Sequence, residues 1–218
     1  MRTEIHPGGK AARSFIEQAR RAQIVESAIE VLAEAGYRNA SLARIAEHAG
    51  ISKGVISYHF EGKRDLMDEV KTSIMGRIEA FLEPLMGAET TAAGALNTYI
   101  SGSLQYLGDN RSHVLALEEI FFMNVSQAGR RPDYESVLEP AFQMLEEIFD
   151  RGQRNGEFRD FDTRVMAVTV QLAIEGASMQ LISDPKTDLE HYGAELVRLF
   201  ERAILRRPRA RTIDRSRS

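Results

Sequence analysis

Residues 41–60, SLARIAEHAGISKGVISYHF, hold the densest set of side chains capable of directed chemistry. Lys53 can donate to guanine acceptors or to a phosphate, and Ser57 can pair with bases or phosphates. Gly54 adds no side chain and permits close backbone approach, while Val55 suits contact with a thymine methyl. Tyr58 and His59 fit phosphate or sugar contacts better than base reading. Lys63 opens the next segment, where its charge and a helix N-terminus can jointly hold a phosphate. Ser41 and Arg44, at the start of the run, complete the set. Taken singly, Lys53 and Lys63 read as solvated charges, His48 as exposed helix surface, and Leu42, Ile45, Ile56 and Phe60 as plain core. Their joint placement around Gly50 points to nucleic acid.

Catalytic chemistry finds less support. The chain has no Cys, and its five His, at 6, 48, 59, 113 and 191, are scattered without a metal-ligand pair at helical spacing. There is no phosphate-binding Gly loop and no nucleophile elbow. The expectation is a protein that is not an enzyme and carries no cofactor or metal. A helical catalyst built on Glu118 or Glu175 is the competing class. A DNA-binding protein without a ligand is another.

The formal net charge is −4 over 218 residues, but it is unevenly spread. Residues 1–65 carry ten Lys/Arg against eight Asp/Glu, residues 66–205 twelve against twenty-three, and residues 206–218 six Arg against Asp214. Only the two ends are electrostatically suited to a phosphate backbone. Without a continuous run of ~20 apolar residues or an apolar leader near Met1, the sequence suggests a cytoplasmic chain with no membrane partner.

The elements that must position these residues are all helical by spacing. Ile24, Ala28, Leu32 and Ala35 recur every three to four residues, and Gly36 supplies a stop. Leu42, Ile45, Ala46 and Ala49 repeat the pattern, with Ser41 as N-cap and Gly50 as terminator. A short third helix runs from Ser52 to near Phe60. A fourth covers about 63–82 and is closed by Pro84. Further helices are read at 92–107, 112–127, 133–155, 162–183 and 188–205, with Pro140 kinking or splitting the third of these. The fold class is all-α: an N-terminal three-helix helix-turn-helix head and a larger C-terminal helical body. The divisions expected are a disordered arm at 1–14, the DNA-binding head at 15–62, a ligand-binding and dimerisation domain at 63–205, and a disordered Arg-rich tail at 206–218.

The run from Ile24 to Leu66, and above all Gly50 to Leu66 (GISKGVISYHFEGKRDL), resembles the N-terminal domain of the tetracycline-repressor (TetR) family. The family typically shows a Gly-Val-Ser turn, an aromatic pair before Phe, and a Lys shortly after, followed by Leu. Ser57 stands here in place of the first aromatic. The resemblance implies a helix-turn-helix head, a connecting fourth helix, a ligand-binding body and dimerisation through the last two long helices.

For the body, Met75, Ile78, Phe81, Leu82, Tyr99, Tyr106, Phe121, Phe122 and Phe142 can line a small-molecule pocket between helices or simply pack the core. Glu118 and Glu119 sit in an apolar run, and Gln171 and Glu175 share one helical face; each can meet a ligand, bond between helices or face solvent. Val168, Leu172 and Met179 form one apolar stripe, and Leu189, Tyr192, Leu196, Leu199 and Phe200 another. Two such hairpins about a two-fold axis give a four-helix dimer interface. The expected partners are double-stranded operator DNA, a small-molecule effector and a second copy of the chain. The combined expectation is a ligand-responsive repressor that leaves a palindromic operator when the effector binds.

Overall fold

A computed structural model of the chain describes residues 8–128 and 132–206, with side chains described for 15–121 and 136–206. The arm at 1–14 and the tail at 206–218 therefore lie wholly or largely outside the described side chains. Among the described residues the chain forms nine helices: α1 (Gly8–Asn39), α2 (Leu42–His48), α3 (Lys53–His59), α4 (Lys63–Gly87), α5 (Ala92–Asp109), α6 (Arg111–Ala128), α7 (Pro132–Arg154), α8 (Thr163–Ser183) and α9 (Leu189–Ile204). The one β-type pairing among them is an isolated bridge between Phe158 and Leu205. The all-α expectation holds.

Local chemistry accounts for most boundaries. Gly36 takes φ +73°, which breaks regular helix geometry inside α1. Ser41 caps α2 by accepting from the Arg44 N–H at 3.2 Å. Asp162 and Asp188 cap α8 and α9 in the same way, each at 2.9 Å. Pro84 does not close α4 as expected, because the helix continues to Gly87. A proline deletes a single helical hydrogen bond, and near a helix end little chain remains to be misdirected. Packing holds this last turn in place. Gly102 of α5 lies so near Leu82 that an added Cβ would stand 2.8 Å from a Leu82 methyl. Pro140 is likewise contained within α7.

The chain divides into two compact units, Met1–Phe81 with Tyr106–Glu139, and Leu82–Gln105 with Pro140–Ser218. In the first, Ile24, Ile29 and Leu32 of α1, Ile45 of α2, Ile56 of α3, and Leu66 and Ile74 of α4 form one continuous buried core. Ala116 and Ile120 of α6 belong to that same core. Each fully buried large aliphatic contributes about 1.5–3 kcal/mol, so a small three-helix head gains substantially from the α6 residues beside it. In the second unit Phe149 and Phe158 are fully buried, and Phe158 lies directly against Gly152. The Arg159 N–H donates to the Ile204 carbonyl at 2.9 Å and ties down the end of α9.

Candidate nucleic-acid interface

The turn between α2 and α3 forms by a specific set of backbone bonds. The Gly50 N–H donates to the Glu47 carbonyl at 3.1 Å, and the Ile51 N–H to the Ala46 carbonyl at 2.9 Å. With Gly50 at φ +66° this is a Schellman ending, which turns the chain sharply and drops Ile51 onto the core. Ser52 begins α3 in extended conformation, and its carbonyl accepts from the Val55 N–H at 3.0 Å.

A helix as short as α3 has no stability of its own and depends on what grips it. Ile56 and Phe60 are buried on its inner side. From α1, Arg21 donates to the His59 carbonyl at 2.5 Å and to Glu69 of α4 at 2.8 Å. The same guanidinium lies 4.3 Å from the centre of the Phe60 ring. Gln23, also of α1, donates to the Ala49 carbonyl at the end of α2 at 2.9 Å. Neither Arg21 nor Gln23 was legible as a support, because nothing in local spacing marks an α1 side chain as partner to a residue far along the chain.

The outer side of α3 is then free. Lys53, Gly54 and Ser57 are exposed, Tyr58 is 75% exposed, and Val55 and His59 are half-buried. Ser41 and Arg44 are exposed at the start of α2. The Ser41 hydroxyl serves as helix cap while keeping hydrogen-bonding capacity. Lys63 is half-buried; it donates to the Tyr37 carbonyl and sits 4.1 Å from the centre of the Tyr37 ring. Burial lowers the Lys63 pKa and raises that of the Tyr37 hydroxyl. Lys63 starts α4 as expected, but one of its donors is already engaged within the protein.

The body residues fall into both units. In the first, Met75, Ile78, Glu118 and Phe121 are partly buried. Phe81 packs 5.6 Å from the Tyr106 ring, centre to centre. The Tyr106 hydroxyl bonds to His113 Nδ1 at 2.8 Å. Glu119 accepts from the Tyr37 N–H at 2.8 Å, so it makes an interhelical bond. The Phe122 side chain lies outside the described residues. In the second unit Leu82, Tyr99 and Phe142 are buried, and the Tyr99 hydroxyl donates to Gln171 at 2.8 Å. Burial, reinforced by nearby Glu175, pushes the Tyr99 pKa well up, so its phenol stays neutral. The Arg164 guanidinium stands 4.7 Å from the centre of the Phe142 ring.

On α8 and α9 the apolar stripe is partly uncovered. Val165, Leu172 and Met179 are 63%, 50% and 64% exposed, and Leu199 is 59% exposed. Val168, Leu189, Tyr192 and Leu196 are half-buried. Phe200 departs from the expected interface set: at 3% exposed it is part of this chain's own core and offers no outer surface. By length and composition α8, at 21 residues and mean hydropathy 1.4, also suffices to cross a membrane, a property the sequence reading did not assign to any segment. It carries Gln171 and Glu175 along its course.

The family model described as bacterial regulatory proteins, tetR family, matches residues 24–70, the segment that builds this interface. The fatty acid metabolism regulator protein of Bacillus subtilis (strain 168) is 27% identical over 169 residues, covering 77% of this chain and 86% of that protein. Among solved structures, FadR from Bacillus subtilis in complex with stearoyl-CoA superposes with a TM-score of 0.74 at 24% identity, covering 82% of this chain and 96% of that one. The fatty acid degradation regulator FadR from Bacillus halodurans gives 0.75 at 21% identity, covering 90% and 96%. The last two establish likeness of fold. Residues 24–70 thus carry the helix-turn-helix segment of the tetR family of bacterial regulatory proteins, and over most of its length the chain is similar to a protein that is a regulator rather than an enzyme.

Proposed function

We propose that the chain is a repressor that binds a palindromic operator as a dimer and leaves it when a long-chain acyl thioester, of the acyl-CoA class, binds the helical body. The observation that carries the DNA side is the outward face of α3, where Lys53, Gly54, Ser57 and Tyr58 are exposed on a helix gripped from behind by Arg21. Val55 and His59 flank this face, and Ser41, Arg44 and Lys63 supply phosphate contacts around it. The effector class is drawn from relatives, one named as a fatty acid metabolism regulator and one solved with stearoyl-CoA. Within the second unit, neutral Tyr99, bonded to Gln171 beside Glu175, offers a polar contact for the effector in otherwise apolar surroundings.

The dimer surface in this proposal is the exposed stripe of Val165, Leu172 and Met179 with Leu199, flanked by Val168, Leu189, Tyr192 and Leu196. Three exposed apolar residues at heptad spacing on one helix make a seam suited to a second copy. A cytoplasmic location follows from a function exercised on DNA. Two-fold symmetry places the reading helices of the two copies ~34–36 Å apart, or a multiple of that, to meet half-sites of a palindrome. The effector acts by preferring the state that does not fit DNA, and the operator must then weaken effector binding by the same factor.

The test is a salt-controlled binding titration on fragments enriched from a random DNA pool, with the mass of the complex measured alongside. A palindrome bound by an even number of chains, and released by stearoyl-CoA, is the expected result. An enriched palindrome that stearoyl-CoA leaves bound would remove the effector class and keep the DNA reading. No enrichment at physiological salt would remove the repressor proposal altogether.

A further inference from the structure

The last turn of α1, beyond the break at Gly36, holds an arrangement that base reading by itself does not require. Tyr37 is gripped at both ends of its backbone. Its N–H donates to Glu119 Oε2, from α6, at 2.8 Å. Its carbonyl accepts from the Nζ of Lys63 at the start of α4, and the same ammonium faces the Tyr37 ring. A carboxylate therefore stands at the positive end of the Gly36–Tyr37 peptide dipole and an ammonium at the negative end of the Tyr37–Arg38 dipole, so two successive peptides each stabilise one charge.

Two further features show that Glu119 is built into this place. Gly36, immediately before, has φ +73°, and a Cβ there would lie 3.1 Å from Glu119 Oε2. The missing side chain thus serves both the turn and the approach of the carboxylate. On α6 itself, Ala116 and Ile120, the two residues flanking this turn of helix, are buried in the core of the head. Glu119 is carried by a helix that cannot move without disturbing that core. The clasped residue Tyr37 lies just ahead of Ser41, which caps α2, and its carbonyl seats Lys63, a proposed phosphate contact.

We propose that Glu119 is a positioning residue for DNA binding: acting through the Tyr37 backbone, it fixes the turn into α2 and the seat of Lys63, so that the attitude of α6 governs how the head presents its phosphate-facing groups. The proposal rests on the DNA-binding reading and is independent of the effector's identity. It makes α6 a route by which effector binding is felt in the head.

The experiment compares the full-length chain with Glu119→Ala and Glu119→Gln. It reads operator affinity on the enriched fragment at a temperature where all are folded, together with amide exchange at Tyr37. Gln keeps an oxygen that can accept from the Tyr37 N–H; Ala keeps none. The expected result is faster Tyr37 exchange and about tenfold weaker operator binding in Glu119→Ala, a loss within reach of one charge-assisted hydrogen bond. Glu119→Gln should recover most of both. If Glu119→Ala does not fold, Glu119→Asp, one methylene shorter, takes its place with the same expectation. Accelerated exchange with unchanged operator affinity would overturn the proposal, as would equal loss in Gln and Ala. A wild-type chain that enriches no DNA removes the DNA-binding reading and this proposal together, which separates that failure from the others.

Discussion

In the proposed interface Lys63 and Ser57 carry opposite kinds of work. Lys63 is anchored to the Tyr37 carbonyl and ring, which fixes the position of a charge that would otherwise wander on a flexible stem. Lys63→Ala should weaken binding to every DNA sequence and reduce the salt dependence by about one unit of slope, measured by titration across ionic strength. Ser57 is exposed with no such anchor, and Ser57→Ala should instead alter which operator variants are preferred, read by re-enrichment from the random pool. An unchanged preference would show that the hydroxyl reads no base. At this scale the sequence was informative wherever a residue obeys a local rule. Ser41 as a cap, Gly50 as a stop and the exposure of Lys53, Gly54 and Ser57 were all legible. Arg21 and Tyr37 were not, because their roles come from partners on other helices.

Between helices, the first unit is cross-braced by a polar chain. Glu26 of α1 accepts from Arg77 of α4 at 2.6 Å, Arg77 lies 3.2 Å from His113 Nε2 on α6, and His113 Nδ1 lies 2.8 Å from the Tyr106 hydroxyl on α5. Arg77 can only donate, so the Nε2 that meets it is unprotonated and the ring proton sits on Nδ1. His113 is 7% exposed. Burial, with the Arg77 charge adding to it, holds its pKa below the ordinary 6.5, while Glu26 and Glu30 oppose the shift. The unfolded chain therefore binds this proton more readily than the folded one. The stability His113 contributes is complete above pH 6.5 and declines as pH falls through 6.5 toward the folded value. Melting temperature should drop more steeply between about pH 7.5 and 5.5 in the wild type than in His113→Gln, which keeps an acceptor for Arg77 and does not titrate. Parallel curves would show that the proton is not coupled to folding. Periodicity announced each of these helices, yet not how they pair. It also stopped α4 at Pro84, because a sequence shows the lost hydrogen bond and hides the packing at Gly102 that keeps the turn helical.

For the whole molecule, the uneven charge was plain from the sequence: the acidic middle is unsuited to DNA, and the proposed reading face lies in the basic N-terminal part. The sharing of one core between α6 and the head was not plain, since Ala116 and Ile120 look like any apolar pair of a body helix. On α8, Leu172 and Met179 were legible as apolar stripe residues; that Val165 rather than half-buried Val168 continues the exposed side, and that the chain buries Phe200 for itself, was not. If the stripe joins two copies, Leu172→Asp combined with Met179→Asp should shift the chain from dimer to monomer in sedimentation. Affinity for a two-half-site operator should then fall on the order of a hundredfold, through loss of effective concentration, while a single half-site is bound as before. A double variant that remains dimeric would place the interface elsewhere.

The grip on α3 has a consequence that reaches past any one molecule. Ile56, Phe60 and Arg21 hold the helix, while Lys53, Gly54, Ser57 and Tyr58 face away from it. In the proposed interface holding and reading fall to separate residues, so a mutation in the second set touches none of the contacts made by the first. After gene duplication, sister copies can drift toward different stretches of a genome while inheriting one scaffold intact, and descent can multiply targets without reinventing the fold.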